Sequence, residues 1–242
     1  MTIKNSVHYS LLNSSYNKVG KRTWLKKDFE QSSLESSRNL FTEGSLDLRD
    51  PVPKHLEVYA LLSGVSFATS FSKELVKIQQ QIDEILDGSL RYWVLPANMG
   101  IEYCVFKWPD DNWVSEFEDQ IYSDLPRLDH PFQFTILGIQ INPDGCIVAK
   151  GFDEGGVIFK YREKIRKKLP LLPKRQSAWA HVPLGRILEP IGKDKFLKLS
   201  NLYKELSDIY IASCEISSAK FIHETQWYME KKTILREFYF NN

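Results

Sequence analysis

The stretch that most constrains this chain is FQFTILGIQI, NPDG, CIVAKGF, residues 132–152. Two apolar runs of strand composition flank Asn142-Pro143-Asp144-Gly145, whose residues are turn formers, so the segment is predicted to be a β-hairpin. On either side of it the pattern alternates between strand and helix. HLEVYALLSGVSF (55–67) is a dense apolar run bounded by turn formers. Leu75, Ile78, Ile82, Ile85 and Leu86 recur at helical steps before Gly88. MGIEYCVFKW (99–108) alternates, with Ile101, Tyr103 and Val105 on one side and Gly100, Glu102, Cys104 and Phe106 on the other. Further helices are predicted over 110–124, 154–169 and 193–209, and further strands over 179–188, 212–223 and 232–240.

From residue 55 onward the order is β-α-β-α-β-β-α-β-α-β-β, and the short connections argue for an α+β fold in one domain. Strand–helix–strand over 55–108 is echoed by hairpin–helix–strand over 132–188. This predicts a two-lobed, pseudo-symmetric domain over 53–242, with lobe 1 at about 53–129, lobe 2 at about 130–242, and sheets facing a central cleft. Residues 1–52 are Ser- and Asn-rich, lack a sustained apolar period and end at Asp50-Pro51-Val52-Pro53. They are read as an extension that wraps the domain or is partly disordered.

Composition excludes several classes. Thirty-two Lys and Arg against 31 Asp and Glu leave a net charge of +1, so any electrostatic function must be local. A 43% hydrophobic content supports a real core. Cys104, Cys146 and Cys214 form neither a disulfide framework nor a C-x-x-C pair, and the five histidines show no zinc-ligand spacing. No metal or other cofactor is expected. Without a signal peptide or an apolar window of membrane length, no membrane partner is expected and the cytoplasm is the expected location.

The run from Phe132 to Leu188, with its hairpin, its helix and His181-Val182-Pro183 on a strand, resembles the second lobe of the 2H phosphoesterase superfamily, the LigT-like and cyclic-phosphodiesterase proteins. The tail over 216–240 is similar to the closing strands of that superfamily, and the resemblance spans about 53–242. It implies a site in which one histidine from each lobe flanks a phosphodiester, one taking a proton and the other giving one. Each family histidine sits in an His-x-[Ser/Thr] triplet, whose hydroxyl shares the strand face. This chain departs twice from that pattern: Pro183 replaces the hydroxyl in lobe 2, and Gly100-Ile101-Glu102 stands where the first triplet belongs. The two-histidine mechanism therefore does not carry over.

Candidate catalytic residues are His181 and Glu102; candidate substrate-binding residues are Tyr103, Trp179 and Arg186. Arg186 lies five residues beyond His181, so strict alternation turns it to the opposite face, into a structural ion pair, unless a bulge intervenes. His223-Glu224-Thr225 falls outside the motif positions, and Cys104 reads as a core thiol. Eight Lys and Arg between Lys160 and Arg175 invite a phosphate reading, against the simpler one of a solvated helix face. The expected function is to act on or bind a small phosphorylated, nucleotide-like ligand between the lobes, with an RNA end as a weaker partner. The alternatives are a non-catalytic interaction module, or an enzyme repurposed around a Glu102/His181 acid–base pair.

Overall fold

The computed structural model describes residues 3–170 and 172–241. The hairpin forms as β4 (Phe132–Ile141) and β5 (Cys146–Asp153), with Asn142 N–H donating to the Cys146 carbonyl at 2.9 Å. Gly145 sits at φ +81°, and a β-carbon there would overlap the Ile187 carbonyl oxygen, so the turn and its close approach both require glycine.

Ahead of the hairpin come α1 (Val7–Trp24), α2 (Gln31–Arg38), α3 (Glu43–Asp47), β1 (His55–Gly64), α4 (Thr69–Ile85), β2 (Arg91–Trp93), β3 (Gly100–Lys107) and α5 (Ser115–Asp124). After it follow α6 (Val157–Lys168), β6 (His181–Ile187), α7 (Lys193–Leu206), β7 (Tyr210–Ile216), β8 (Ser218–Gln226) and β9 (Lys231–Tyr239). Two antiparallel sheets result, ordered β3-β1-β8-β9 and β2-β6-β5-β4-β7, and the fold class is α+β. The sheets exchange strands across residue 130. Short β2 joins the second sheet, while β8 and β9 return to the first. Helices cross over as well: Gln79 of α4 is buried and donates to the carbonyls of Val94, just past β2, and of Leu184 in β6 of the second sheet, and Arg162 of α6 donates to β3 in the first.

One large apolar core runs between helices and sheets, from Leu75 and Ile82 of α4 to Ile158 and Ile165 of α6. A smaller cluster, Val58, Ala60, Leu62, Val65, Val105, Ile222 and Met229, lies on the other face of the first sheet, towards the cleft. Its membership corrects the simple alternation read for 99–108. The β1–β3 register shifts between Leu61/Cys104 and Leu62/Glu102, leaving Tyr103 unpaired as a bulge. Beyond it the faces invert: Val105 joins the cleft face, while Cys104 and Phe106 join Ile101 and Tyr103 in the main core.

Residues 7–47 carry three helices where the sequence shows no sustained apolar period. Ser6 caps α1 by accepting the Tyr9 N–H, and the buried positions of α1 are Leu12, Tyr16, Gly20 and Thr23. Only one of these is an aliphatic side chain, which hides the stripe from a hydrophobicity scan. Gly20 lets α1 approach β4, where a β-carbon would overlap the Gln140 side chain, and Thr23 donates to the Ile141 carbonyl.

Candidate functional site

A cavity of about 330 Å³ opens between the sheets. Its first-sheet wall is built from Val58, Ala60 and Leu62 of β1, Gly100 and Glu102 of β3, and Glu224 of β8, with Trp227, Tyr228 and Met229 in the turn that follows. The facing wall is Cys146 of β5 and His181, Pro183 and Arg186 of β6, and the segment carrying Arg175, Gln176, Ser177 and Trp179 closes one side.

Both motif strands therefore reach one cavity. Gly100 and Glu102 face it from β3, and His181 and Pro183 face it from β6. No side chain projects at 100, and a β-carbon there would be tight, 3.1 Å from the Ser63 carbonyl oxygen and 3.2 Å from Leu62 Cδ1. Pro183 lies past the end of β2, which pairs only with Gly185, Arg186 and Ile187, so its missing N–H breaks no bond to β2.

His181 is held among Trp179, Arg162 and Arg186; burial, with the two guanidinium charges, lowers its pKa to about 4, so it is neutral at pH 7. Its Nδ1 is buried and has no hydrogen-bond partner among the described residues. Glu102 has its pKa raised by burial against the opposing pull of Arg162, Arg175 and the Ser177 backbone amide.

Arg186 corrects the expectation from alternation. The β5–β6 register shifts between Ile147/Gly185 and Val148/Pro183, and this bulge at Leu184 returns Arg186 to the cleft face beside His181. There it makes an ion pair with Asp144 at 3.0 Å and donates to Ser37 Oγ and to the Tyr228 hydroxyl. Tyr103 is the other correction. As the bulged residue after Glu102 its side chain is 1% exposed, turned into the core against Tyr161 and bonded to Ser63, and it does not line the cavity. Cys104 is buried with its thiol pKa raised by that burial, as a core residue should be. His223 turns away from the cavity to stack on Tyr59 and contact Glu57.

Three features of the site escaped sequence reasoning. Glu224, the middle residue of the discounted His-Glu-Thr triplet, faces the cavity; burial raises its pKa to about 7, and its Oε1 accepts the Met229 N–H at 2.8 Å. Its signal was alternation itself, since His223 facing outward puts Glu224 inward. The N-terminal helices supply the second: Ser15 accepts from Trp179 Nε1 at 2.9 Å, and Ser37 accepts from Arg186, so two cleft residues are steadied by a segment distant in sequence. No local pattern announces such contacts.

The third is the bridge formed by Gln176. Its side-chain amide pairs with both backbone groups of Val105, accepting the N–H at 3.0 Å and donating to the carbonyl at 2.8 Å, as a neighbouring strand would. Beside it the Trp108 indole donates to the Arg175 carbonyl, and the Arg175 guanidinium lies 4.4 Å from the Trp108 ring centroid. Gln176→Ala is expected to destabilise the protein by about 1–2 kcal/mol, the net worth of two hydrogen bonds to a sheet edge. Amide exchange should report it as faster exchange at Val105; unchanged protection there would show that the bridge does not hold.

No protein-family model matches the chain, and no curated protein matches it by sequence. Solved structures do match it. TT0787 of Thermus thermophilus superposes with a TM-score of 0.58 at 14% identity, covering 76% of this chain and 98% of that one. Escherichia coli LigT complexed with phosphate gives a TM-score of 0.52 at 9% identity, covering 78% of this chain and all of the other. The same LigT complexed with ATP gives 0.51 at 10%, covering 77% and 99%. At these identities the likeness is one of fold, and about a quarter of this chain lies outside it. Among the described residues no helix is long and apolar enough to cross a membrane.

Proposed function

On the LigT-like 2H phosphoesterase fold that this chain adopts, we propose that the cleft binds a small phosphorylated, nucleotide-like ligand without the two-histidine hydrolysis its motif positions would otherwise support. One observation carries this reading: a single cavity brings His181 and Arg186, beside Arg175, together with the rings of Trp108, Trp179, Trp227 and Tyr228. A fixed guanidinium suits phosphate oxygens and partly exposed rings suit a base. His181, neutral and on the cavity wall, is available to hydrogen-bond the phosphate. The likeness to a LigT that was solved with phosphate and with ATP supports this ligand class.

Hydrolysis through two imidazoles needs one histidine to accept a proton while the other donates. His181 has no counterpart at Gly100, and a carboxylate at 102 opposes a second anion in the cleft. Catalytic use of a Glu102/His181 pair has no observation beyond their shared cavity.

The test has two parts. Tryptophan fluorescence should report saturable binding of 5′-nucleotides by the wild type, weakened about tenfold or more in Arg175→Ala, whose exposed side chain is removed without touching the core. Assays on 2′,3′-cyclic nucleotides and linear dinucleotides should show no turnover above that of His181→Ala. Turnover lost in that variant would overturn the non-hydrolytic reading, and absence of any nucleotide binding would overturn the ligand assignment.

A further inference from the structure

The charged lining of the cavity is segregated by wall. From the first sheet come Glu102 and Glu224 with no lysine or arginine; from the second come His181 and Arg186 with no acid. A phosphate can settle only towards the second wall. The first can be met by hydrogen-bond donors, since the Ser177 amide and the Met229 N–H leave each carboxylate accepting capacity to spare. Glu224 is oriented for this: the Met229 N–H occupies Oε1, leaving Oε2 for a ligand.

An ammonium group could also pair with these carboxylates, but the nucleotide proposed above carries none. Within a nucleotide, the base goes to Trp179 and Trp227 and the phosphate to Arg186 and His181, which leaves the sugar for the carboxylates. A free vicinal diol offers two O–H donors to a carboxylate pair, whereas a 2′,3′-cyclic phosphate offers none there and adds an anion.

Resting on the nucleotide-binding reading above, we propose that Glu102 and Glu224 are specificity residues that read an unmodified ribose. The ligand is then a ribonucleotide with a 5′-phosphate and free 2′- and 3′-hydroxyls, as opposed to a 2′,3′-cyclic phosphate. Calorimetric titration at pH 8 of the wild type, Glu102→Gln and Glu224→Gln tests this, using the four 5′-ribonucleoside monophosphates, their 2′,3′-dideoxy counterparts and the 2′,3′-cyclic nucleotides. The wild type is expected to bind at least one ribonucleotide about tenfold or more tightly than its dideoxy form, with the cyclic form weakest, and each Gln variant should lose most of that preference while still binding the dideoxy form. Cyclic or dideoxy nucleotides binding as tightly as the ribonucleotide, or Gln variants that keep the preference, would overturn the ribose assignment and leave nucleotide binding standing. If none of the probes binds a wild type shown to be folded by circular dichroism, the ribose assignment falls together with the reading beneath it.

Discussion

Arg162→Met is expected to destabilise the protein by about 3–5 kcal/mol, the range for removing one partner from a buried charged network. Arg162 is 2% exposed, and its guanidinium donates through Nε to the Tyr103 carbonyl at 3.2 Å and through Nη2 to the carbonyls of Glu102 and Trp179. The first two belong to β3 and the third to the residue two before β6, so one side chain ties the motif strands of the two sheets together. Met preserves much of the bulk but takes a donor from three carbonyls, of which that of Trp179 still accepts from the Ser177 hydroxyl. It also removes a positive charge beside Glu102, whose pKa should rise further. Urea denaturation should show a lower midpoint at unchanged slope, with Arg162→Lys intermediate because an ammonium keeps the charge and loses the planar fork. A loss below about 1 kcal/mol would mean that the contacts between strands do not depend on this residue.

Glu224→Gln is expected to stabilise the protein at pH 8 by about 3 kcal/mol and to leave it nearly unchanged at pH 5. Burial, with Glu102 adding to it, lifts the Glu224 carboxyl to about 7 from an ordinary value of 4.5, while Met229 N–H and Lys232 pull the other way. Between these values the native state holds a proton that the unfolded chain has released. Stability therefore falls as pH rises through the window, and by pH 8 the full cost of burying the anion is present, about 1.4 kcal/mol for each pH unit that separates the folded and unfolded values. Gln cannot ionise and still accepts the Met229 N–H. Denaturation midpoints at several pH values between 5 and 8 measure the difference; an advantage that is flat across this range would show that Glu224 titrates as an ordinary carboxyl. The same substitution should weaken ribose discrimination, so a gain in stability and a loss of selectivity are expected from one residue.

The basic run shows how far linear reading reaches. Lys160, Lys164, Arg166, Lys167 and Lys168 are exposed, as the solvated-face reading has it, yet Arg162 in their midst is a core residue. Its position was legible in principle, since 162 falls four after Ile158 and three before Ile165, on the buried stripe of α6. Charge type obscured it. The N-terminal helices were hidden for a related reason: α1 buries Tyr16, Gly20 and Thr23, residues whose burial depends on what lies beneath them.

What the sequence by itself determined was the hairpin, most of the alternation of helices and strands after residue 55, the α+β class, and the absence of a histidine at Gly100 and of a hydroxyl at Pro183; it missed β2 and read β7 and β8, which join different sheets, as one strand over 212–223. These follow from local rules: turn chemistry, apolar period, and the presence or absence of a side chain. Only the tertiary structure decided which side chains share the cleft. Two bulges, at Tyr103 and Leu184, change strand parity, sending Val105 and Arg186 to the cleft face and returning Cys104 and Phe106 to the core. A strand's two faces differ by one residue of register, and that register is set by the partner strand, through hydrogen bonds between residues far apart in the chain.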